Sequence, residues 1–357
     1  MQNASLELSL LSIFSLVSFF IFLLIQKFSN LILSGDLLDD DFVKPQSFHE
    51  KEIPRSGGLA SIISLFFFIF LNELIFNIFY FEYFVIGLGM FLIGFLEDLK
   101  IRLSPKVRLT LMAIFLLFCI NFYSFEINNK DLIFLNDLLN FNIFFVVFIL
   151  LCFLFIINGA NLIDGFDGLL ALQLLLINSV LLIINLENNS YNQSLLITAQ
   201  LITLAIFFVF NFPKAKIFMG DGGAYFFGAI TSINIIYTNN LNGNISSFFY
   251  CILLFYLFFE VFFSFFRKII QKKSPIKPDQ YHLHMLSFKY LEKKTKFKNC
   301  NYINSALINF IYFILIFPAF FVKDNGAICK YWFFLILLFY IFIYTRLNSF
   351  IKKQIDI

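Results

Sequence analysis

Five short polar stretches interrupt an otherwise apolar chain, and their side chains are those that handle phosphate. They are His49-Glu50-Lys51-Glu52-Ile53-Pro54-Arg55-Ser56-Gly57-Gly58, Gly94 to Asp98 with Pro105 and Arg108, Asn158 to Gly168, Phe212 to Gly223, and Asp279 to His284. The groups of interest among them are the carboxylates Glu97, Asp98, Asp164, Asp167 and Asp221 and the basic Lys51, Arg55, His282 and His284, with Lys277 just before the last stretch. So many acids would repel an anionic diphosphate unless a divalent ion bridged them. Mg2+, with Mn2+ as the alternate, takes oxygen ligands and is held by one or two carboxylates plus substrate phosphates. Such an ion orients a diphosphate and relieves charge on the leaving phosphate.

Each stretch also has a plainer reading. Glu97 and Asp98 end an apolar run, where the negative end of a helix disfavours two acids unless a cation or a proton compensates, yet solvated acidic helix ends occur. Asn161, Asp164 and Asp167 recur every third residue, so one helical or near-helical turn would stack them on one edge. A polar turn explains the Gly and Asn of this segment, Asn158 included, but not paired aspartates without a Lys or Arg, and acids at a membrane boundary usually mark a site. Asp221 precedes an apolar run as an N-cap would, although Pro213 and the surrounding glycines shape a larger loop than a cap needs. In an extended His282-Leu283-His284 the two imidazoles share a face, suited to metal or phosphate, or inert. Arg55 beside Gly57-Gly58 puts a guanidinium at a helix start, which suits an anion. Glu73 and Glu260 stand apart within apolar runs and read as packing or snorkelling residues.

The elements that must position these groups are membrane helices. The 357 residues are 60% hydrophobic and 14% charged, with 57 Phe and a mean hydropathy of +0.85, a composition that excludes a soluble domain. A span needs about 20 residues, and the apolar runs predict eleven, near 6–26, 58–81, 83–96, 107–123, 138–157, 169–186, 194–212, 223–239, 246–266, 302–322 and 328–345, the third being the shortest. The first run lacks a basic leader and a cleavage site, so it is expected to be a retained helix. All Lys and Arg except Lys130, Lys323 and Lys330 fall in alternate loops and the C-terminal tail. The positive-inside rule then puts the N-terminus outside (periplasmic), the C-terminus in the cytoplasm, and all five stretches on the cytoplasmic face. The expectation is an all-α polytopic membrane protein, one domain over residues 1–357, with loops 27–57, 97–107, 158–168, 213–223 and 267–301 forming the active face. The lysines of the last loop are otherwise explained by topology and lipid headgroups. Five scattered cysteines suggest neither a disulfide framework nor a thiolate metal site.

In this order the motifs resemble those of the polyprenyl-phosphate N-acetylhexosamine-1-phosphate transferases (glycosyltransferase family 4), specifically the bacterial undecaprenyl-phosphate GlcNAc-1-phosphate transferase-like branch. The resemblance runs from His49 through His284. It implies transfer of a HexNAc-1-phosphate from a UDP-HexNAc to undecaprenyl phosphate at the cytoplasmic face of the bacterial inner membrane. UMP would leave, and the lipid-linked diphosphate sugar would initiate a cell-envelope polysaccharide such as the lipopolysaccharide O-antigen. Glu97 and Asp98 occupy the family's paired-aspartate position, Asp98 to deprotonate or position the lipid phosphate; Asp164 and Asp167 match the two aspartates of its Asn-rich motif and complete the catalytic set. Asp221 would ligate Mg2+, with Asn161 and Asp164 in the metal and nucleotide shell. Lys51, Arg55, Asn158, Asn161, Asp167, His282 and His284 would contact substrate. The implied partners are the two substrates and the bilayer, with no nucleic acid and with a homodimer as an allowed assembly. The chain departs from the pattern at Glu97, Gln280, Met285 and Ala224, and the changes around Gln280 and Met285 bear on the sugar it accepts. Two enzyme-family alternatives are a phospho-MurNAc-pentapeptide transferase, whose adjacent histidines are here His-Leu-His, and an inactive scaffold. A transporter is the alternative of another class, though it would place ionisable groups near the midplane.

Overall fold

Apolar runs become helices wherever polar breakers bound them, because a backbone inside lipid must satisfy its own hydrogen bonds. The computed structural model describes residues 2–39, 52–123, 125–128, 131–275, 277, 279–295 and 300–355. In chain order these form α1 (Gln2–Lys27), a 3-10 turn, strands β1 (Leu38–Asp39) and β2 (Ile53–Pro54), α2 (Gly57–Phe76), α3 (Phe81–Asp98), α4 (Pro105–Phe122), α5 (Ile133–Leu139), α6 (Asn142–Ile163) and α7 (Leu169–Glu187). There follow α8 (Tyr191–Asn211), α9 (Gly220–Leu241), α10 (Ser247–Leu253), α11 (Phe255–Ile270), α12 (Leu283–Lys294), α13 (Asn301–Phe321) and α14 (Gly326–Ile355). The strands pair antiparallel, Leu38 with Pro54 and Asp39 with Ile53, and among the described residues they are the only departure from an all-α fold.

Local chemistry sets the ends that matter. The Ser104 side chain accepts from the Val107 N–H at 3.3 Å and Pro105 takes the first position of α4, so Arg108 lies in that helix's first turn. Asn77, in the left-handed region at φ 54°, closes α2.

Among the described residues eight helices are long and apolar enough to cross a membrane, or nine if α10 and α11 count as one span. The eleven expected runs are all helical, but three depart from simple spans. The run at 246–266 is broken at Leu254, and its two pieces are bent by 78°. The run at 83–96 lies in α3, whose 18 residues include Glu82, Glu97 and Asp98. The run at 223–239 lies in α9, which is rich in Gly, Ser, Thr and Asn and buried along nearly all its length by α2, α3, α6, α7 and α8. A helix sheathed by protein does not have to be as greasy as one facing lipid.

Amides and hydroxyls hold α9 to that sheath. Asn178 of α7 donates to Thr231 Oγ1 (3.3 Å), Asn185 to Thr238 Oγ1 (2.7 Å), and Asn234 of α9 to Asn178 Oδ1 (2.8 Å) and Gln200 Oε1 (2.5 Å). Gln193 of α8 bridges Asn234 Oδ1 and the Tyr83 hydroxyl. Such bonds average about 0.6 kcal/mol each inside membranes, so the ladder fixes register more than it adds stability.

Candidate active site

The C-terminal end of α3 abuts the N-terminal end of α9, and the carboxylates gather there. Asp98, 3% exposed, accepts the backbone N–H of Asp221 on one oxygen (2.9 Å) and of Gly222 on the other (2.8 Å). Asp98 therefore caps a helix distant in sequence, and the positive end of α9 compensates the charge that α3's own dipole disfavours. Gly220 reaches this geometry at φ +77°, and a Cβ there would lie 2.7 Å from Asp98 Oδ2. Two other contacts have no room for a side chain: a Cβ on Gly94 of α3 would lie 2.5 Å from the Asp221 carbonyl, and one on Gly223 2.6 Å from Gly58 Cα. The Gly57 and Gly58 N–H groups donate to Phe218 and Met219 carbonyls, and the Phe218 N–H to Pro54, tying the Pro-Arg segment to the loop before α9.

Two guanidiniums flank the junction. Arg108 reaches Asp221 at 2.7 Å and Glu97 at 3.6 Å. Arg55 pairs with Asp39 at 2.7 Å and lies 4.0 Å from Asp98. Burial works against the Arg55 charge, but Asp39, Asp221 and Asp98 outweigh it and raise its pKa. Asp164 joins from α6. Burial first, then the charges of Asp221 and Asp98, push its pKa well above the usual carboxylate range, while Arg55 and the Gly220 N–H pull the other way. Asp98 is likewise raised by burial and by Asp221, against the two N–H groups and Arg55. Asp98, Asp164 and Asp221 thus converge on the first turn of α9.

The remaining candidates are placed differently. Asn161 lies in the last turn of α6 and its carbonyl accepts the Asp164 N–H, but among the described residues no hydrogen bond ties its side chain to Asp98 or Asp221. The expected stacking of Asn161, Asp164 and Asp167 on one edge does not occur. Helix α6 ends at Ile163 and the chain turns, with Gly168 at φ +78°. Asp167 instead accepts the Ala215 N–H at 3.3 Å, while its own N–H donates to Asn301, bracing the loop before α9. Asn158 turns back along α6 to the Leu154 carbonyl. Lys51, with His49 and Glu50, lies outside the described residues. Lys277 is exposed.

His282 and His284 are 3% and 0% exposed, not a surface pair. Their rings stack, centroids 5.5 Å apart and 6° from parallel, as the shared-face reading predicts. His284 also meets Phe166, which lies between Asp164 and Asp167, edge-on at 5.5 Å. Burial, opposed by Glu260 and assisted by His282, pushes its pKa down to about 3, so the ring is neutral at physiological pH. Sequence reasoning missed Glu260. It is neither packing nor snorkelling but a 1% exposed carboxylate facing His282, and its intramembrane acid signal could have marked it.

Of the departures from the family pattern, Glu97 meets Arg108 as above and Gln280 accepts from Lys289 at 2.9 Å. Met285 and Ala224 are buried.

Among the described residues no three His, Cys, Asp or Glu side chains are grouped to close a metal site by themselves. Two carboxylates beside a diphosphate suffice for Mg2+, and Asp221 and Asp164 provide that donor chemistry, with Asp98 committed to the backbone of α9.

The family model described as glycosyl transferase family 4 matches residues 80–239, the segment from α3 through α9 that builds this junction. A phospho-N-acetylmuramoyl-pentapeptide-transferase of Dictyoglomus turgidum is 30% identical over 234 residues, covering 62% of this chain and 73% of that protein. The chain belongs to glycosyl transferase family 4. This family-4 chain is also 26% identical over 275 residues to an undecaprenyl-phosphate alpha-N-acetylglucosaminyl 1-phosphate transferase of Thermotoga maritima, covering 76% of the chain and 78% of the relative. A phospho-N-acetylmuramoyl-pentapeptide-transferase of Streptococcus pneumoniae is 31% identical over 219 residues, 58% of this chain and 65% of that protein.

Proposed function

We propose that this family-4 transferase moves a HexNAc-1-phosphate from a UDP-HexNAc to undecaprenyl phosphate on the cytoplasmic face of the bacterial inner membrane, aided by Mg2+. The observation that carries the reading is the convergence of Asp98, Asp164 and Asp221 on the α9 N-terminus, flanked by Arg55 and Arg108. The Thermotoga relative, named for this reaction, supports the choice of substrates. The distribution of Lys and Arg supports the cytoplasmic orientation.

In the reaction an oxygen of the lipid phosphate attacks the sugar-bearing phosphorus of the donor. The bond from that phosphorus to the nucleoside phosphate breaks, and UMP leaves with the electron pair. A lipid phosphate is already ionised at neutral pH, so direct attack after alignment requires no covalent relay. Asp98 fixes the first turn of α9, whose positive end favours bound phosphate. Arg55 and Arg108 supply cations where charge builds on the leaving phosphate. Asp221 and Asp164 would hold Mg2+, which when bound neutralises diphosphate charge. Asp167 keeps the 212–217 loop against this site.

The test is purified protein with Mg2+, undecaprenyl phosphate and a panel of UDP-sugars including UDP-MurNAc-pentapeptide, assayed for UMP and lipid-linked diphosphate sugar. UMP from a UDP-HexNAc is expected, lost on EDTA treatment. Absence of UMP with every donor overturns the reading. Turnover of only the pentapeptide donor would establish the second reading, which the Dictyoglomus relative favours.

A further inference from the structure

The carboxylate of Glu260 lies where three elements meet, and its oxygens are taken up by all three. Oε1 accepts from the Tyr340 hydroxyl of α14 (2.7 Å) and from the Leu283 N–H in the first turn of α12 (3.2 Å), while Oε2 faces His282 Nδ1 (3.2 Å). The other nitrogen of His282 is 3.4 Å from Asp279, itself gripped by Arg267 of α11 at 2.8 and 3.0 Å. Tyr344 of α14 donates to the Tyr281 carbonyl, pinning the same loop from the side. Both ring nitrogens of His282 therefore face protein carboxylates. His284 differs: Nδ1 lies 3.4 Å from the Tyr256 hydroxyl, and Nε2 is fully buried with no hydrogen-bond partner among the described residues. A buried polar atom without a partner costs about 1–3 kcal/mol and points to a ligand that would satisfy it. Contacts run on from Glu260 through His282 and the stacked His284 to Phe166, between Asp164 and Asp167.

We propose that Glu260 is a positioning residue for donor binding, holding His282 as a fixed backing so that the stacked His284, through Nε2, is the imidazole of the pair that meets the donor. This rests on the transferase reading above. A histidine ring is oriented by the bond its far nitrogen or its neighbour makes, and a carboxylate is the usual partner. The 78° bend between α10 and α11 aims α11's buried face, with Glu260 and Arg267, at the α12 loop.

Two readouts test it on the full chain in lipid nanodiscs. Steady-state UMP release by Glu260→Ala is expected to show a donor KM raised about tenfold, kcat changed less than threefold and an unchanged KM for undecaprenyl phosphate. Glu260→Gln keeps an acceptor for the Tyr340 hydroxyl and Leu283 N–H and should recover most of the loss; Tyr340→Phe should raise donor KM about two- to threefold. A residue needed only for folding would lower kcat through the active fraction and leave KM alone, and that pattern overturns the proposal.

The second readout does not depend on turnover. The chain has three histidines, so carbethoxylation by diethylpyrocarbonate followed by mass spectrometry resolves each. His282 and His284 are expected to react slowly in the parent protein and at least tenfold faster in Glu260→Ala, and in Tyr340→Phe by a smaller factor should Glu260→Ala not fold. Unchanged labelling in a folded variant overturns the proposal even if the parent releases no UMP, whereas that absence of UMP with the expected labelling defeats the transferase reading alone and leaves Glu260 as the residue that orients the histidine pair.

Discussion

At its N-terminal end α9 is met by the carboxylates of Asp98 and Asp164 and, through Asp221, by the guanidinium of Arg108; further along, the polar groups that tie the same helix to α7 and α8 among the described residues are amides and hydroxyls. Ionisable groups occur where a helix terminus and two arginines stand beside them. In the interior, Asn, Gln, Thr and Tyr bond one another without a net charge to desolvate, which is the cheaper solution in a low dielectric. The difference separates residues kept for chemistry from residues kept for register, and variants at the two ends should fail in different assays.

The largest effect is expected at Asp221. Asp221→Asn should leave the fold of α9 intact, since its role there is not as the cap, but removes the charge that faces Arg108 and that the proposed function uses toward the donor. UMP release should fall at least 100-fold, about 2.7 kcal/mol of barrier, well beyond what any accompanying change in thermal midpoint accounts for. Activity within threefold of the parent would remove Asp221 from the site. Next comes Asp98→Ala, which strands the N–H groups of Asp221 and Gly222. Each buried unsatisfied donor costs about 1–3 kcal/mol. Here activity and thermal midpoint should drop together, and a loss of activity at unchanged midpoint would show that the cap is not structural.

Gly58→Ala sharpens the comparison from the packing side. Its Cβ would meet the backbone of Gly223, which cannot move aside as a side chain could. Overpacking typically costs about 1–3 kcal/mol, so a lowered thermal midpoint with a displaced Pro-Arg segment and weakened activity is expected. An unchanged midpoint would mean that α2 and α9 can separate here at no cost.

Much of this division could be read from residue types alone. Apolar run lengths predicted every long helix, and the pairing of Glu97 with Asp98 and the spacing of Asp164 from Asp167 marked the loops that gather. Three things were hidden because they depend on tertiary partners. The break at Leu254 lies within an uninterrupted apolar run, so hydropathy carries no sign of a 78° bend. Asp167 shares its spacing with Asp164 but turns to Ala215, because α6 ends at Ile163 before a common edge forms. Glu260 resembled a lone snorkelling acid until His282, Leu283 and Tyr340 came from 22, 23 and 80 residues away to surround it.

The smallest effect, and the one that isolates register from chemistry, belongs to the interior ladder. Asn185 donates to its own helix at the Leu181 carbonyl and across to Thr238 Oγ1 at 2.7 Å. Asn185→Ala, Thr238→Val and the double variant form a cycle in which only the crossing bond is shared. A coupling of about 0.6 kcal/mol is expected, with about 1.7 as the upper end seen for such bonds inside membranes. UMP release should stay within twofold of the parent, since neither residue touches the charged end of α9. If the cycle instead cost as much activity as Asp98→Ala, the two ends of α9 would move as one body, and the ladder would be setting the position of Asp221 along the helix axis.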